Sequence, residues 1–318
     1  MRRIPILPTP VRLGVSAIAI VTGLAACTQA RAARPNAGNP TMTAVAPSRP
    51  DGAVGRYATV NGLRMYYEVH GTMRGTGRPL VLLHGGGSTI ETTFGRVLPT
   101  LAASRQVIAV ELQGHGHTAD RERPLSFAQD ADDVAALLRE IELPEVDVLG
   151  FSNGANTALE LGRRHPDAVR RLVVAAGFVT KDGIPAPIWE SFRQPPDPGK
   201  MPPALRAAYL QAAPDPSRLP VLVAKLMQRL NSFQDWTDDE VRSIQAPTLL
   251  MVGDADVITV EHTVRMARLL PRAQLVVFPG AGHGAYLGEA TAAPCAECTT
   301  AAVGLVLRFL DSPYAAAH

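Results

Sequence analysis

Short apolar runs recur along the chain from residue 57 onward: Leu80–Leu83, Val107–Val110, Val146–Leu149, Leu172–Ala175, Thr248–Val252 and Leu275–Phe278. They do not alternate and they are rich in β-branched residues, the pattern of strands buried on both faces. Helical stretches separate or follow them, notably Phe127–Glu142, Ala155–Arg164, Val260–Leu270 and a last one over Thr299–Leu310. Such alternation predicts a mostly parallel sheet wound by right-handed crossovers. Ahead of it, residues 57–60 and 63–69 flank Asn61-Gly62 and predict a β-hairpin. A long interval, 178–244, is proline-rich, holds both tryptophans (Trp189 and Trp236) and contains no strand-like run. It reads as a cap of short helices inserted between two core strands.

The N-terminal stretch has a different character. Arg2, Arg3 and Arg12 form a positive region, and Leu13 to Ala26 is apolar with small residues at its end. That is the layout of an export signal, too short to span a bilayer as an ordinary helix. Leu24-Ala25-Ala26-Cys27 resembles a bacterial lipoprotein box. The resemblance implies that residues 1–26 are removed, that Cys27 is lipidated, and that the protein is an exported cell-envelope lipoprotein held to a membrane. Residues 27–55 are rich in Pro and Gly and read as a flexible tether with a reach of roughly 30 Å.

Composition narrows the class. At 46% hydrophobic and 19% charged, the chain is too apolar for a disordered one. The formal net charge of +2 includes the three leader arginines and is −1 without them, with no Lys/Arg run elsewhere. That excludes the electrostatic footprint of a nucleic-acid binder and leaves a small-molecule ligand. Cys295 and Cys298 have no second cysteine pair with which to hold zinc. In an exported protein they read as a short-range disulfide.

The chemistry lies at the ends of the apolar runs. Gly150-Phe151-Ser152-Asn153-Gly154 matches G-x-S-x-G, follows a strand directly and opens a helix. A nucleophile elbow requires that strand–turn–helix setting. Upstream, Leu80–Leu83 runs into His84-Gly85-Gly86-Gly87, where small residues let backbone N–H groups approach a substrate oxygen. Downstream, Gly253-Asp254-Ala255-Asp256 and Gly280-Ala281-Gly282-His283-Gly284 each follow a strand. Open α/β sheets place ligands at that edge.

Together with Gly114-His115-Gly116-His117-Thr118, these elements resemble the α/β-hydrolase family over about residues 57–313, in its capped branch of esterases, non-haem haloperoxidases and C–C bond hydrolases. The resemblance implies an α/β-hydrolase fold, with a mostly parallel eight-stranded sheet flanked by helices. The core would comprise 56–177 and 245–314, with the cap at 178–244. It implies Ser152 as nucleophile, His283 as base, and Asp256 as the acid in preference to Asp254. The N–H groups of Gly86 and Asn153 would be oxyanion donors. Gly87, Trp189 and Trp236 are candidates for the substrate pocket, although the tryptophans read more readily as cap core. No metal or organic cofactor is called for. The implied activity is hydrolysis of a small carboxylic ester. C–C bond, amide or lactone hydrolysis, perhydrolase-like chemistry, or a binding lipoprotein on the same fold are the alternatives. Ser rather than Asp at the elbow argues against dehalogenase and epoxide hydrolase chemistry. Glu111 stands where relatives usually carry Asp. His84 is expected to orient its loop, His115 and His117 to be turn and surface groups, and His262 to sit on a helix face.

Overall fold

The hairpin of β1 (Val54–Val60) and β2 (Leu63–His70) turns through Asn61 and Gly62, both at positive φ, as a two-residue I′-type connection demands. The structure, a computed structural model, describes residues 54–73 and 77–313. The leader, Cys27 and the tether up to residue 53 lie outside the described residues. The remaining strands are β3 (Leu80–Leu83), β4 (Val107–Val110), β5 (Val146–Phe151), β6 (Val169–Ala175), β7 (Thr248–Gly253) and β8 (Ala273–Phe278). They form an eight-stranded sheet in the order β1-β2-β4-β3-β5-β6-β7-β8. The β1–β2 and β2–β4 pairs are antiparallel and the rest parallel. This is the α/β-hydrolase fold.

Two apolar layers follow from strand alternation. Leu80, Leu82, Val107, Ala109, Leu149 and Phe151 face one side, while Val81, Leu83, Ile108, Val110, Val146 and Val148 face the other. The first layer is covered by α1 (Ile90–Phe94), α2 (Leu98–Ser104) and the C-terminal helix, the second by α3 (Phe127–Glu140) and α4 (Asn153–Arg164). Strand β8 departs from the expected two-sided burial: most of it is only half-buried, because it is an edge strand with β7 as its single neighbour. Helix α1 was not legible as a periodic run. Its five residues are fixed by a capping box between Thr89 and Thr92 instead.

Chain order places the site. From β3 the chain crosses to β4 on one side, then returns to β5 on the other. Between the C-terminal ends of β3 and β5 lies the switch point, the crevice where this sheet class holds ligands.

Between β6 and β7 run α5 (Ala186–Ser191), α6 (Pro203–Ala212), α7 (Leu219–Asn231) and α8 (Asp238–Arg242). Prolines stand in the first turns of α5, α6 and α7, where the missing N–H costs nothing. The fold closes with α9 (Val260–Leu269) and α10 (Ala296–Asp311). Ion pairs dock α7: Lys225 and Arg218 each reach Asp120 at 2.8 Å, and Arg229 reaches Asp130 of α3 at 3.1 Å with both side chains 2% exposed. Burial pushes the Asp130 carboxyl up to about 6 despite the Arg229 charge beside it. Arg229→Met strands that carboxylate without its counter-charge and is expected to cost about 3 kcal/mol in urea unfolding. Asp130→Leu combined with Arg229→Met is expected to come out close to the parent. Equal loss in the single and double variants would show that the pair is not what docks α7.

Candidate active site

Ser152 sits at the tip of the β5–α4 turn with φ 52° and ψ −117°, a backbone conformation that L-residues rarely adopt. Three features hold it there. A Cβ on Gly150 would collide with the Gly154 carbonyl, and one on Gly154 with the carbonyls of Leu83 and His84. The Ser152 N–H donates to Ala175 O at 2.9 Å, and its carbonyl accepts from Ala155 and Asn156. The turn is therefore clamped between β3, β6 and its own helix.

His283 follows β8 in the loop before the short 3₁₀ turn Ala285–Leu287. Its Nε2 lies 3.0 Å from Ser152 Oγ and its Nδ1 2.7 Å from Asp256 Oδ1. Asp256 is fully buried and also accepts from the Ile258 N–H at 3.0 Å. Asp254 turns the other way and accepts the Gly280 N–H at 2.7 Å, holding the two loops together. Burial disfavours the charged imidazole, but the Asp256 charge and hydrogen bond, with Glu289 adding to them, outweigh it. The His283 pKa is raised above 6.5. Phe151 backs the ring at 4.7 Å.

The glycine loop after β3 lies beside the elbow. The N–H groups of Gly86 and Asn153 have no partner among the described residues. The Asn153 side chain occupies the space a Cβ on Gly86 would need. His84 pins the loop, with Nδ1 donating to Gly85 O at 2.8 Å and Nε2 accepting from the Leu112 N–H at 3.1 Å.

Several expectations are corrected. His115 is not a surface group: it is buried, its Nδ1 donates to Gln113 O, and its Nε2 accepts the Gly87 N–H at 3.0 Å. His262 does sit on a helix face, that of α9, where it is buried and accepts the Val179 N–H at 3.1 Å. His117 is half-buried against Tyr66 and Glu111. Trp189 is 6% exposed and packed edge-on between Phe178 and Phe192, so its ring is core. Trp236 lines a separate cleft of about 280 Å³ with Phe127, Arg163 and Phe233, and that cleft contains no triad residue. What does cover the glycine loop is apolar: a Cβ on Gly87 would meet Met201 at 3.0 Å, and one on Gly86 would meet Leu226 of α7 at 3.4 Å. Neither had a sequence signal, since helix docking is tertiary. Cys295 and Cys298 are bridged, with Cα atoms 5.2 Å apart, at the start of α10.

A serine on a strained elbow, facing a histidine–carboxylate pair at the switch point of this sheet, is the arrangement of an α/β hydrolase. The chain belongs to the alpha/beta hydrolase family, whose profile matches residues 80–297. It is 31% identical over 245 residues to the pimeloyl-[acyl-carrier protein] methyl ester esterase of Neisseria meningitidis serogroup B, covering 68% of this chain and 89% of that protein. It is 30% identical over 243 residues to the 2-hydroxy-6-oxo-2,4-heptadienoate hydrolase of Pseudomonas putida, covering 66% and 83%. The fold matches that of a meta-cleavage product hydrolase from Pseudomonas fluorescens with a TM-score of 0.66 at 20% identity, covering 81% of this chain and 97% of that one. The protein is an enzyme of the hydrolase class.

In a histidine-resolved NMR titration, the His283 imidazole is expected to lose its proton above 6.5, and Asp256→Asn to lower that midpoint. A parent midpoint at or below 6.5 would contradict the ion pair.

Proposed function

We propose that this hydrolase cleaves a small carboxylic ester through an acyl-enzyme on Ser152. His283 takes the serine proton through Nε2 and then delivers it to the leaving alcohol. Asp256 holds the imidazole with Nδ1–H toward itself and stabilises the imidazolium. The oxyanion rests on the N–H groups of Gly86 and Asn153, each of order 3 kcal/mol in the transition state. Water, activated by the same histidine, releases the acid. The observation that carries this reading is the Ser152–His283–Asp256 relay, at 3.0 and 2.7 Å, on the strained elbow. The methyl ester esterase relative supports an ester substrate.

A second reading, C–C bond hydrolysis on the same triad, draws on the 2-hydroxy-6-oxo-2,4-heptadienoate hydrolase relative. It differs in the leaving group, a carbanion that must be protonated rather than an alkoxide. Turnover of simple p-nitrophenyl esters compared with a vinylogous 1,5-diketone separates the two. Ser152→Ala is expected to fold normally, to lose fluorophosphonate labelling, and to lose kcat by several orders of magnitude. Asp256→Asn is expected to lower kcat roughly 10⁴-fold by favouring the wrong tautomer. Asp254→Asn keeps an acceptor for the Gly280 N–H but loses the charge that strengthens the bond, a cost of about 1 kcal/mol, and should stay within about tenfold of the parent. Normal turnover in Ser152→Ala would sink the mechanism.

Export and anchoring at Cys27 belong to the same proposal, supported by the Leu24-Ala25-Ala26-Cys27 box. Stable attachment takes more than one acyl chain, as a lipoprotein N-terminus carries. Cys27→Ala is expected to move the protein out of the detergent phase. An unmodified N-terminus downstream of Cys27 by mass spectrometry would rule the anchor out.

A further inference from the structure

Glu289 is a carboxylate buried to 4% exposure beside the triad, and the mechanism above leaves it idle. We propose that Glu289 is a positioning residue for this chemistry, tying the glycine loop to the His283 loop and setting a second negative charge beside the imidazole. The proposal rests on the reading of Ser152 and His283 as nucleophile and base.

Its contacts span both loops. Ser88, at the end of the glycine loop, donates from Oγ to Glu289 Oε1 at 3.5 Å, while the Ser88 N–H holds Gly85 O at 3.2 Å. On the other side the Glu289 N–H donates to Gly284 O at 3.2 Å, next to His283. Glu289 Oε2 accepts from the Thr291 N–H at 2.7 Å and from the Thr291 hydroxyl. The next residue, Ala290, donates to Thr92 O of α1 at 2.8 Å, a second link between the same two regions.

Phe151 fills the middle of this arrangement. A Cβ on Gly284 would lie 2.7 Å from both Glu289 Cβ and Phe151 Cζ, and one on Gly85 would lie 3.1 Å from the same ring. The contacts therefore close a circuit: elbow, histidine loop, Glu289, Ser88, glycine loop and back to the elbow. Nucleophile, base and oxyanion donors sit on three different connections, and a buried polar bridge of this kind fixes their spacing better than apolar packing alone. A displacement of about 1 Å is enough to cost a large rate factor.

The charge acts on His283 directly. The charged groups packed around the imidazole are Asp256 from the loop after β7 and Glu289 from its own loop. Arg96, from the α1–α2 connection, lays its stem against Gly288 further along. Glu289 joins Asp256 in favouring the imidazolium.

Two variants of the full chain separate the bridge from the charge. The readout is the rate at which a fluorophosphonate probe labels Ser152, measured against pH, so no substrate need be known. Glu289→Gln keeps the side chain's size and an acceptor. It is expected to slow labelling roughly tenfold, the equivalent of one lost hydrogen bond, and to move the acid limb of the profile to lower pH. Ser88→Ala removes the bridging hydroxyl but keeps the charge, so it is expected to slow labelling several-fold with the limb in place. A merely structural glutamate would lower the melting temperature without moving the limb, and that result would overturn the proposal. Should Glu289→Gln not fold, Ser88→Ala decides, and labelling there at the parent rate overturns the bridge. Labelling of Ser152→Ala at the parent rate would instead sink the nucleophile reading itself. A silent Ser152→Ala beside a parent-like Glu289→Gln overturns only the role of Glu289.

Discussion

The close approach of Gly154 to the end of β3 is the constraint on which the rest depends. Ser152 occupies a backbone region that costs on the order of 1–3 kcal/mol for a non-glycine residue. The chain accepts that cost only because its neighbours leave no alternative. Gly150 lies against the Gly154 carbonyl, Gly154 lies against the carbonyls of Leu83 and His84, and the Ser152 N–H is held by Ala175. Each contact joins the elbow to a different strand, so the turn is strained only while β3, β5 and β6 keep their register. The same approach brings the glycine loop after β3 beside the serine. One packing requirement thus brings the glycine loop and the serine elbow together.

Two buried histidines, His84 and His115, and the half-buried His283 lie in the loops there, and their partners decide what each can do. His84 and His115 are wrapped in backbone. Each places Nδ1 on a carbonyl and offers Nε2 to an N–H, and burial holds both pKa values below the ordinary value. A neutral imidazole can accept from the glycine loop, whereas an imidazolium would have no lone pair left to do so. His283 meets a carboxylate instead, and its pKa moves the other way although burial acts on it as well. The loop histidines are thereby kept as fixed struts while the third can take and return a proton. Desolvation is common to all three; the local counter-charge makes the difference.

The sheet and the relay were largely legible because each depends on local sequence. The strands β3 to β7 are apolar runs whose ends carry short glycine-bounded motifs, and an elbow or a loop of that kind is specified within a few residues. The same locality explains why Asp254 and Asp256 could be told apart only through family resemblance. Two residues apart after a strand, they differ in what they meet, a backbone N–H for the exposed Asp254 and an imidazole for the buried Asp256 side chain. Where tertiary contact decides, the sequence was silent or misleading. His115 lies in a glycine-rich stretch that looks exposed and is buried under the loop it supports. Trp236 was a candidate for the substrate pocket, yet the chain leads it to Arg163 and another cleft. Leu226 and Met201 are unremarkable residues until the segment between β6 and β7 is docked.

That docking sets the medium around the glycine loop, where the proposed mechanism puts the oxyanion. Leu226 and Met201 place aliphatic atoms over Gly86 and Gly87, and the Asn153 side chain closes the remaining side. Hydrogen bonds from fixed N–H groups gain strength as water is excluded, since the interaction is no longer screened by a mobile solvent. The apolar cover stays in place because charged groups elsewhere on α7 anchor it, with Lys225 on Asp120 and Arg229 on Asp130. Helix α7 therefore contributes both parts: Leu226 lies over the glycine loop, and Lys225 and Arg229 hold the helix in place. Any substitution that loosens the ionic row would admit water to the loop without touching the triad. In the proposed mechanism, the strength of the oxyanion interaction would thus depend on contacts made well away from Ser152.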